Sequence, residues 1–377
     1  MGTRMTKKLN FLLIGCGRIS KNHIAAAAEN ADTMELVAVC DPVVRLAEEK
    51  AASLAEKTGK QPAIYTDYKK ALEELEVDCC AIATESGYHA EIALDCLRRG
   101  KHVLVEKPMA LSTHDAQLMI QEANSRGLKL GVCHQNRFNA PIQELRHALD
   151  DNRFGKLVNG TARILWNRSM PYYEQAPWRG TWAQDGGTLM NQCIHNIDLL
   201  QWSLGGKPKT IMAMTGNYLR DINAEDFGAV LVRFENDAIG IIEGSACVYP
   251  KNLEETLSIF GETGTAVIGG LAVNRIQTWN FAAPAPQDEA VAALSGTDPT
   301  DVYGSGHNAL YADYINAIHT DTQPLVSGSE GIKALKIILA AYKSQKTGQA
   351  VQFDDLEFSS LDMDDSDVCC RQKGAAQ

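Results

Sequence analysis

Positive charge is in short supply. The 377-residue chain carries 36 Lys and Arg against 47 Asp and Glu, a net charge of −11. Nucleic-acid binding draws its affinity from a basic face that releases counterions, so no nucleic-acid partner is expected. A local Arg or Lys pocket for a small anion stays open, because a distant net charge does not cancel it. Long apolar runs are missing as well, and no secretory leader is seen. No membrane partner is therefore expected, and a cytoplasmic location is. The ten cysteines include no CxxC matched to a second CxxC or to a His pair, so no metal site is expected. Cys16, Cys40, Cys79, Cys80, Cys96, Cys133, Cys193 and Cys247 fall inside apolar or element-forming runs and read as buried free thiols in a reducing compartment. Internal repeats and low-complexity tracts are absent. With 45% hydrophobic residues over this length, two domains bury adequate cores without disulfide or metal staples.

The first third alternates short apolar runs with helical patterns. Strands are predicted at Leu9–Gly15, Met34–Asp41, Pro62–Tyr65, Val77–Thr84, His102–Glu106 and Lys129–His134. Helices fall between them, with Asp67 as a cap for the one ending near Leu75. Strands apolar on both faces and separated by helices predict an α/β, doubly wound parallel sheet of the Rossmann type. The pattern changes near residue 140. Alternating strands at Leu157–Trp166, Thr210–Tyr218, Phe227–Phe234, Ala238–Ala246, Thr256–Phe260 and Arg275–Trp279 lack intervening helices. They predict an α+β domain with an open, mainly antiparallel sheet. Helices Asn308–His319 and Ser329–Thr347 follow. The expected domains are 1–138, 139–355 and an acidic, polar tail at 356–377 whose extreme end is mobile.

Gly15-Cys16-Gly17-Arg18-Ile19-Ser20 follows the first strand and opens a helix. Gly15 permits the tight turn, and Gly17 lets the backbone approach a pyrophosphate at the helix N-terminus. Ser20 stands where the usual fingerprint has a third Gly. Asp41 ends the second strand, where a carboxylate accepts hydrogen bonds from the adenosine ribose and repels a 2′-phosphate; the cofactor expected is NAD. Lys107, in Glu106-Lys107-Pro108, follows the fifth strand at the end where open α/β sheets bind ligands. Downstream of Asp185-Gly186-Gly187, residues Asn191, His195 and Asp198 stand at i, i+4 and i+7 of one expected helix. That face reads equally well as a pocket wall and as a satisfied polar cluster.

Together, the Gly15–Ser20 fingerprint, Glu106-Lys107-Pro108 and the Gly186-Gly187…His195-x-x-Asp198 stretch resemble the glucose–fructose oxidoreductase/inositol dehydrogenase (Gfo/Idh/MocA) family, from about Asn10 to about Phe353. The resemblance implies Lys107 and His195 as catalytic residues. It implies cofactor contacts at Gly15, Gly17, Arg18, Ile19, Asp41, Thr84, Ser86, His89, Glu106, Lys107, Gln135, Trp178 and Arg179. Many members carry Asp where this chain has Asn191, which leaves Lys107 and His195 to handle the proton.

Gln135-Asn136-Arg137-Phe138-Asn139, Trp166-Asn167-Arg168, Tyr172-Tyr173, Ala176–Trp182 and Gly187-x-x-Met190-Asn191-Gln192 are similar to the subgroup that oxidises UDP-N-acetylglucosaminuronate at C3. That subgroup serves bacterial surface-polysaccharide synthesis, including lipopolysaccharide O-antigen. The likeness implies substrate contacts at Lys107, Arg137, Arg168, Tyr172, Asn191, Gln192 and His195. A sugar carboxylate and a pyrophosphate call for planar bidentate cations, which Arg137, Arg168 and Arg179 supply. It further implies a homodimer or homotetramer and, in some members, recycling of NADH by 2-oxoglutarate. Two other readings stay open: a polyol or simple-sugar dehydrogenase, and a non-catalytic NAD-binding regulator on the same fold.

Overall fold

The computed structural model describes residues 7–270, 272–294, 306–364 and 366–368. They form two units. The first holds residues 7–110, 115–135 and 306–331; the second holds 111–114, 136–294, 332–364 and 366–368.

The first unit is built on β1 (Leu9–Ile14), β2 (Met34–Cys40), β3 (Ala63–Tyr65), β4 (Cys79–Ile82), β5 (His102–Val105) and β6 (Leu130–Val132). Their order is β3-β2-β1-β4-β5-β6 and every pairing is parallel. Parallel neighbours need a crossover, supplied between the first strands by helices Ser20–Glu29, Val44–Thr58, Tyr68–Glu74 and His89–Arg98. All four residues of β4 are buried, as its unbroken apolar run requires. Asp67 caps its helix by accepting from the Lys69 N–H at 2.9 Å. The strand order reverses between β1 and β4, which places a ligand crevice at the C-terminal ends of those strands.

One helix departs from the expected 139–355 domain. Gly306–Thr320 belongs to the first unit. Its Tyr311 and Tyr314 rings lie 5.7 and 6.5 Å from Phe11 of β1, and Tyr314 donates to the Lys129 carbonyl at 3.1 Å. An aromatic face made to cover β1 pulls this late segment back to the first sheet.

The second unit carries β7 (Leu157–Leu165), β8 (Pro208–Gly216), β9 (Phe227–Phe234), β10 (Ile239–Ser245), β11 (Glu254–Gly261), β12 (Gly264–Gly269), β13 (Arg275–Phe281) and β14 (Val351–Gln352). The order is β13-β12-β11-β7-β10-β9-β8-β14. All pairs are antiparallel except β7 with β10. Helix Ile194–Leu204 covers one face over β7, β10 and β11. The opposite face shows Met212, Leu231 and Ile241, direct cross-strand neighbours that are all exposed. Strand β14 escapes a sequence reading because it has two residues, and β12 because it follows β11 through a two-residue turn and runs on from it in sequence.

The acidic, polar tail is docked as far as it is described. The Phe358 N–H donates to Thr113 Oγ1 at 3.1 Å, Ser360 Oγ donates to the Trp182 carbonyl at 2.6 Å, and Lys346 pairs with Asp367 at 2.7 Å. The extreme end, from residue 369 on, lies outside the described residues. Among the described residues, no helix is long and apolar enough to cross a membrane.

Candidate active site

The cofactor cradle is built at the end of β1. Gly15 has φ +96°, and a Cβ there would sit 2.5 Å from the Ala83 carbonyl carbon and oxygen. Only glycine fits where this turn crosses the end of β4. A Cβ on Gly17 would meet nothing within 4 Å, so its backbone faces open space ahead of helix Ser20–Glu29. Arg18 is exposed beside it and Ile19 half-buried. Ser20 is fully buried, and its hydroxyl donates to the Gly17 carbonyl at 2.5 Å. A small residue that braces the turn thus replaces the third glycine. Asp41 Oδ2 accepts from the Cys16 N–H and Oδ1 from the Val43 N–H, each at 2.8 Å. The carboxylate is oriented by the turn itself, and each oxygen keeps a lone pair for a diol.

The loops after β4 and β5 are tied together. Thr84 is half-exposed and Ser86 buried. His89 is buried, with Nε2 3.1 Å from the Thr84 carbonyl and Nδ1 2.7 Å from the Pro108 carbonyl. Lys107, half-buried, precedes a cis bond to Pro108. The Lys107 N–H donates to Glu106 Oε2 at 3.2 Å. Glu106 is buried, and burial alone would raise its pKa. Hydrogen bonds from His23 and His307 outweigh that and hold the carboxyl well below the usual range. Gln135, also buried, closes the contiguous part of the first unit.

In the second unit, Arg168, Tyr172, Arg179, Asn191 and Gln192 converge. Arg179 Nη1 donates to the Tyr172 hydroxyl at 2.6 Å, and Gln192 Nε2 donates to the same oxygen at 2.9 Å. Arg168 Nε donates to Gln192 Oε1 at 3.0 Å. The two guanidiniums lie 5.3 and 4.4 Å from the Tyr172 ring centroid, and Arg179 also stacks 4.5 Å over Trp178. Two planar cations on one aromatic ring form an anion-seeking surface. Asn191 donates to Asp185 and accepts from Gln192 at 2.6 Å.

The single helix expected through Asn191, His195 and Asp198 is two helices, Thr188–Asn191 and Ile194–Leu204, broken at Gln192 and Cys193. Asn191 and His195 therefore do not share a continuous helical face. His195 is buried on the first turn of the second helix. Asp198 does not line an open wall. It is fully buried and accepts from Arg137 twice, Nε to Oδ2 and Nη2 to Oδ1, both at 2.7 Å. Arg137 is buried with it and stacks 4.8 Å over Trp202. The expected substrate cation is placed as half of an interior ion pair.

Two acids went unforeseen. Glu225 presses on Gly187, where a Cβ would come within 1.6 Å of its Oε2; it accepts from the Leu189 N–H at 2.8 Å and from the Tyr342 hydroxyl at 3.1 Å. Glu255 lies on β11 beside Asn196 and Arg168. Burial pushes both carboxyls up to about 8. The signal for Glu255 was its parity: it shares a strand face with Leu257 and Ile259, both fully buried.

Residues 9–134 match an oxidoreductase family with an NAD-binding Rossmann fold, and residues 142–267 match the GFO/IDH/MocA C-terminal domain. The chain belongs to the GFO/IDH/MocA family. It is an NAD-binding oxidoreductase, and the Gly15–Asp41 cradle fits that cofactor. Among solved structures it is similar to the WlbA dehydrogenase of Bordetella pertussis in complex with NADH and UDP-GlcNAcA, at 36% identity and TM-score 0.82, over 93% of this chain and 99% of that one. The WlbA dehydrogenase of Chromobacterium violaceum, also in complex with NADH and UDP-GlcNAcA, is 36% identical with TM-score 0.83, over 93% and 97% of the chains. The myo-inositol 2-dehydrogenase of Thermotoga maritima is 25% identical over 91% of this chain and 98% of its own.

Proposed function

We propose that the protein is a nucleotide-sugar 3-dehydrogenase, oxidising the C3 hydroxyl of UDP-N-acetylglucosaminuronate to the ketone for surface-polysaccharide synthesis. The observation that carries this is the Arg168–Tyr172–Arg179–Gln192 cluster, in a chain 36% identical to enzymes crystallised with that sugar nucleotide. The sugar carboxylate and pyrophosphate are the anions such a cluster suits, whereas a neutral polyol has no use for two stacked guanidiniums.

NAD, when bound, supplies the hydride acceptor. Asp41 orients the adenosine ribose, and the open backbone at Gly17 admits the pyrophosphate. Lys107 or His195 takes the hydroxyl proton as the carbonyl forms, and a cation near the nascent alkoxide lowers its energy. Histidine is ordinarily the closer of the two to working pH. Arg168 and Gln192 hold the anionic sugar, and Asn191, through Asp185 and Gln192, fixes that side chain's amide. Arg137 steadies the second unit through Asp198 rather than meeting the substrate.

The test is NADH absorbance after mixing enzyme and NAD with UDP-N-acetylglucosaminuronate, with UDP-N-acetylglucosamine, and with myo-inositol. The reading expects turnover only with the uronate. Faster turnover of myo-inositol would favour the polyol reading, to which the Thermotoga relative lends weight. Oxidation of enzyme-bound NADH to NAD on adding 2-oxoglutarate, with 2-hydroxyglutarate formed, would identify the recycling oxidant.

A further inference from the structure

We propose that Glu106 is a positioning residue: a buried carboxylate, held by His23, His307 and Cys133, that fixes the Lys107 peptide and keeps a permanent negative charge adjoining it. The inference rests on Lys107 handling the substrate proton.

Glu106 is 5% exposed at the end of β5. An ion so placed is tolerated only when the protein replaces its water. Oε1 accepts from His23 Nε2 at 3.1 Å and His307 Nε2 at 3.0 Å; Oε2 accepts from the Lys107 N–H at 3.2 Å. The buried Cys133 thiol is a further hydrogen-bond donor to the carboxylate. An ionised carboxylate only accepts, so each of these neighbours donates to it.

The same accounting fixes both imidazoles. Each Nε2 carries a hydrogen toward Glu106. His23 Nδ1 then accepts from the Tyr311 hydroxyl at 2.7 Å, and His307 Nδ1 is buried with no partner. Burial lowers the pKa of His23, and the negative charge of the group is that of Glu106. Lys107 is gripped from both sides, its N–H by Glu106 and the following Pro108 carbonyl by His89. The titratable groups facing the carboxylate are His23 from helix Ser20–Glu29, Cys133 after β6, and His307 with Tyr311 from helix Gly306–Thr320; His89 and Lys107 flank the loop.

Among the described residues this is also the one group of His, Cys and acidic side chains gathered tightly enough for a metal ion, with donor atoms within 4.8 Å of one another. The 3.0 and 3.1 Å contacts are those of N–H donors to a carboxylate, and they account for the cluster without an ion.

The decisive variant is Glu106→Gln, compared with the unaltered enzyme and Lys107→Ala. One glutamine oxygen still serves both imidazoles, but the amide NH2 meets the Lys107 N–H donor to donor and the charge is gone. Turnover should fall on the order of a hundredfold, the scale of a misplaced reacting group. An anion favours the ammonium form, so its loss should lower the Lys107 pKa and move the alkaline rise of kcat to lower pH. Lys107 is titrated directly by NMR of 13C-methylated protein, its resonance assigned with Lys107→Arg.

A Glu106→Gln protein that loses only thermal stability, with pH profile and Lys107 titration intact, overturns the proposal. So does about one zinc per chain in the purified protein. If Lys107→Ala keeps its activity, the catalytic reading falls, and the Lys107 titration alone decides this one. Should Glu106→Gln not fold, His307→Phe removes one donor and should lower kcat, while His307→Gln restores that donor and the activity. Equal loss in both overturns the idea.

Discussion

Arg137 and Asp198 form a two-point ion pair sealed inside the second unit, with both hydrogen bonds at 2.7 Å and neither side chain open to solvent. The pair is a consequence of burial. Arg137→Ala would deprive the buried Asp198 carboxylate of its counter-ion and should destabilise the fold by about 3–5 kcal/mol. Denaturant unfolding checks this. A variant of normal stability with weakened UDP-sugar binding would return Arg137 to the substrate.

Asp41→Ala should weaken NAD binding and relax discrimination against NADP. The carboxylate's loss removes the ribose acceptor, the repulsion of a 2′-phosphate, and the brace on the Cys16 N–H. Weakening is therefore expected toward both cofactors, and more toward NAD. Fluorescence titration with each measures it; equal affinity of the unaltered protein for NAD and NADP would refute the role.

The first unit was nearly all legible because its strands are buried on both faces and announce themselves as apolar runs, β4 above all. Its returning helix was not. Tyr311 and Tyr314 look like any amphipathic aromatics until Phe11, some 300 residues earlier, is seen beneath them. The cofactor turn was legible because local geometry demands Gly15. The Glu106 cluster was not, since His23 and His307 are far apart in sequence and each is an ordinary lone histidine. Periodicity also misled at Asn191–Asp198, where i, i+4, i+7 spacing ran across a break between helices.

Lys107→Ala and His195→Ala should each lower turnover about a hundredfold or more, the scale of a positioned acid–base group. If only one variant is inactive, it identifies the base. Asn191→Asp restores the commoner family residue, but Asn191 donates to Asp185 here. The change would set two carboxylates against each other and should raise the pKa of one rather than simply favour a His195 cation. Stopped-flow turnover across pH reads it. A clean upward shift of the alkaline rise, without loss of stability, would count against the Asp185 contact.

Glu225 makes stability depend on pH. Burial raises its carboxyl from 4.5 to about 8, so between these values the folded chain holds a proton that the unfolded chain has released. Stability from this group is fully present below pH 4.5 and declines as the pH rises toward 8, by at most about 1.4 kcal/mol per pH unit. Glu255 adds a contribution of the same sign. Glu225→Gln keeps an acceptor for Leu189 and Tyr342 and carries no titrating proton. Urea midpoints at pH 5 to 8 should fall less steeply in the variant; parallel slopes would contradict the buried-acid account.

The exposed face of the second sheet should be an interface between copies of the chain. Leu231 stands opposite Met212 on one side and Ile241 on the other, so three apolar side chains form a stripe across β8, β9 and β10. Sheet faces of antiparallel strands normally present polar residues to water, and an apolar stripe left open there marks an association surface. The same face is ringed by Arg163 paired with Glu243 and Glu254, a polar rim of the kind interfaces carry. Leu231→Asp places a charge at the centre of the stripe. The side chain already points outward, so the fold should tolerate it, and circular dichroism should not change. Light scattering should show a dimer or tetramer for the unaltered protein and a smaller species for the variant. A wild-type monomer with full activity would defeat the proposal. An unaltered oligomer in the variant would move the interface to another face.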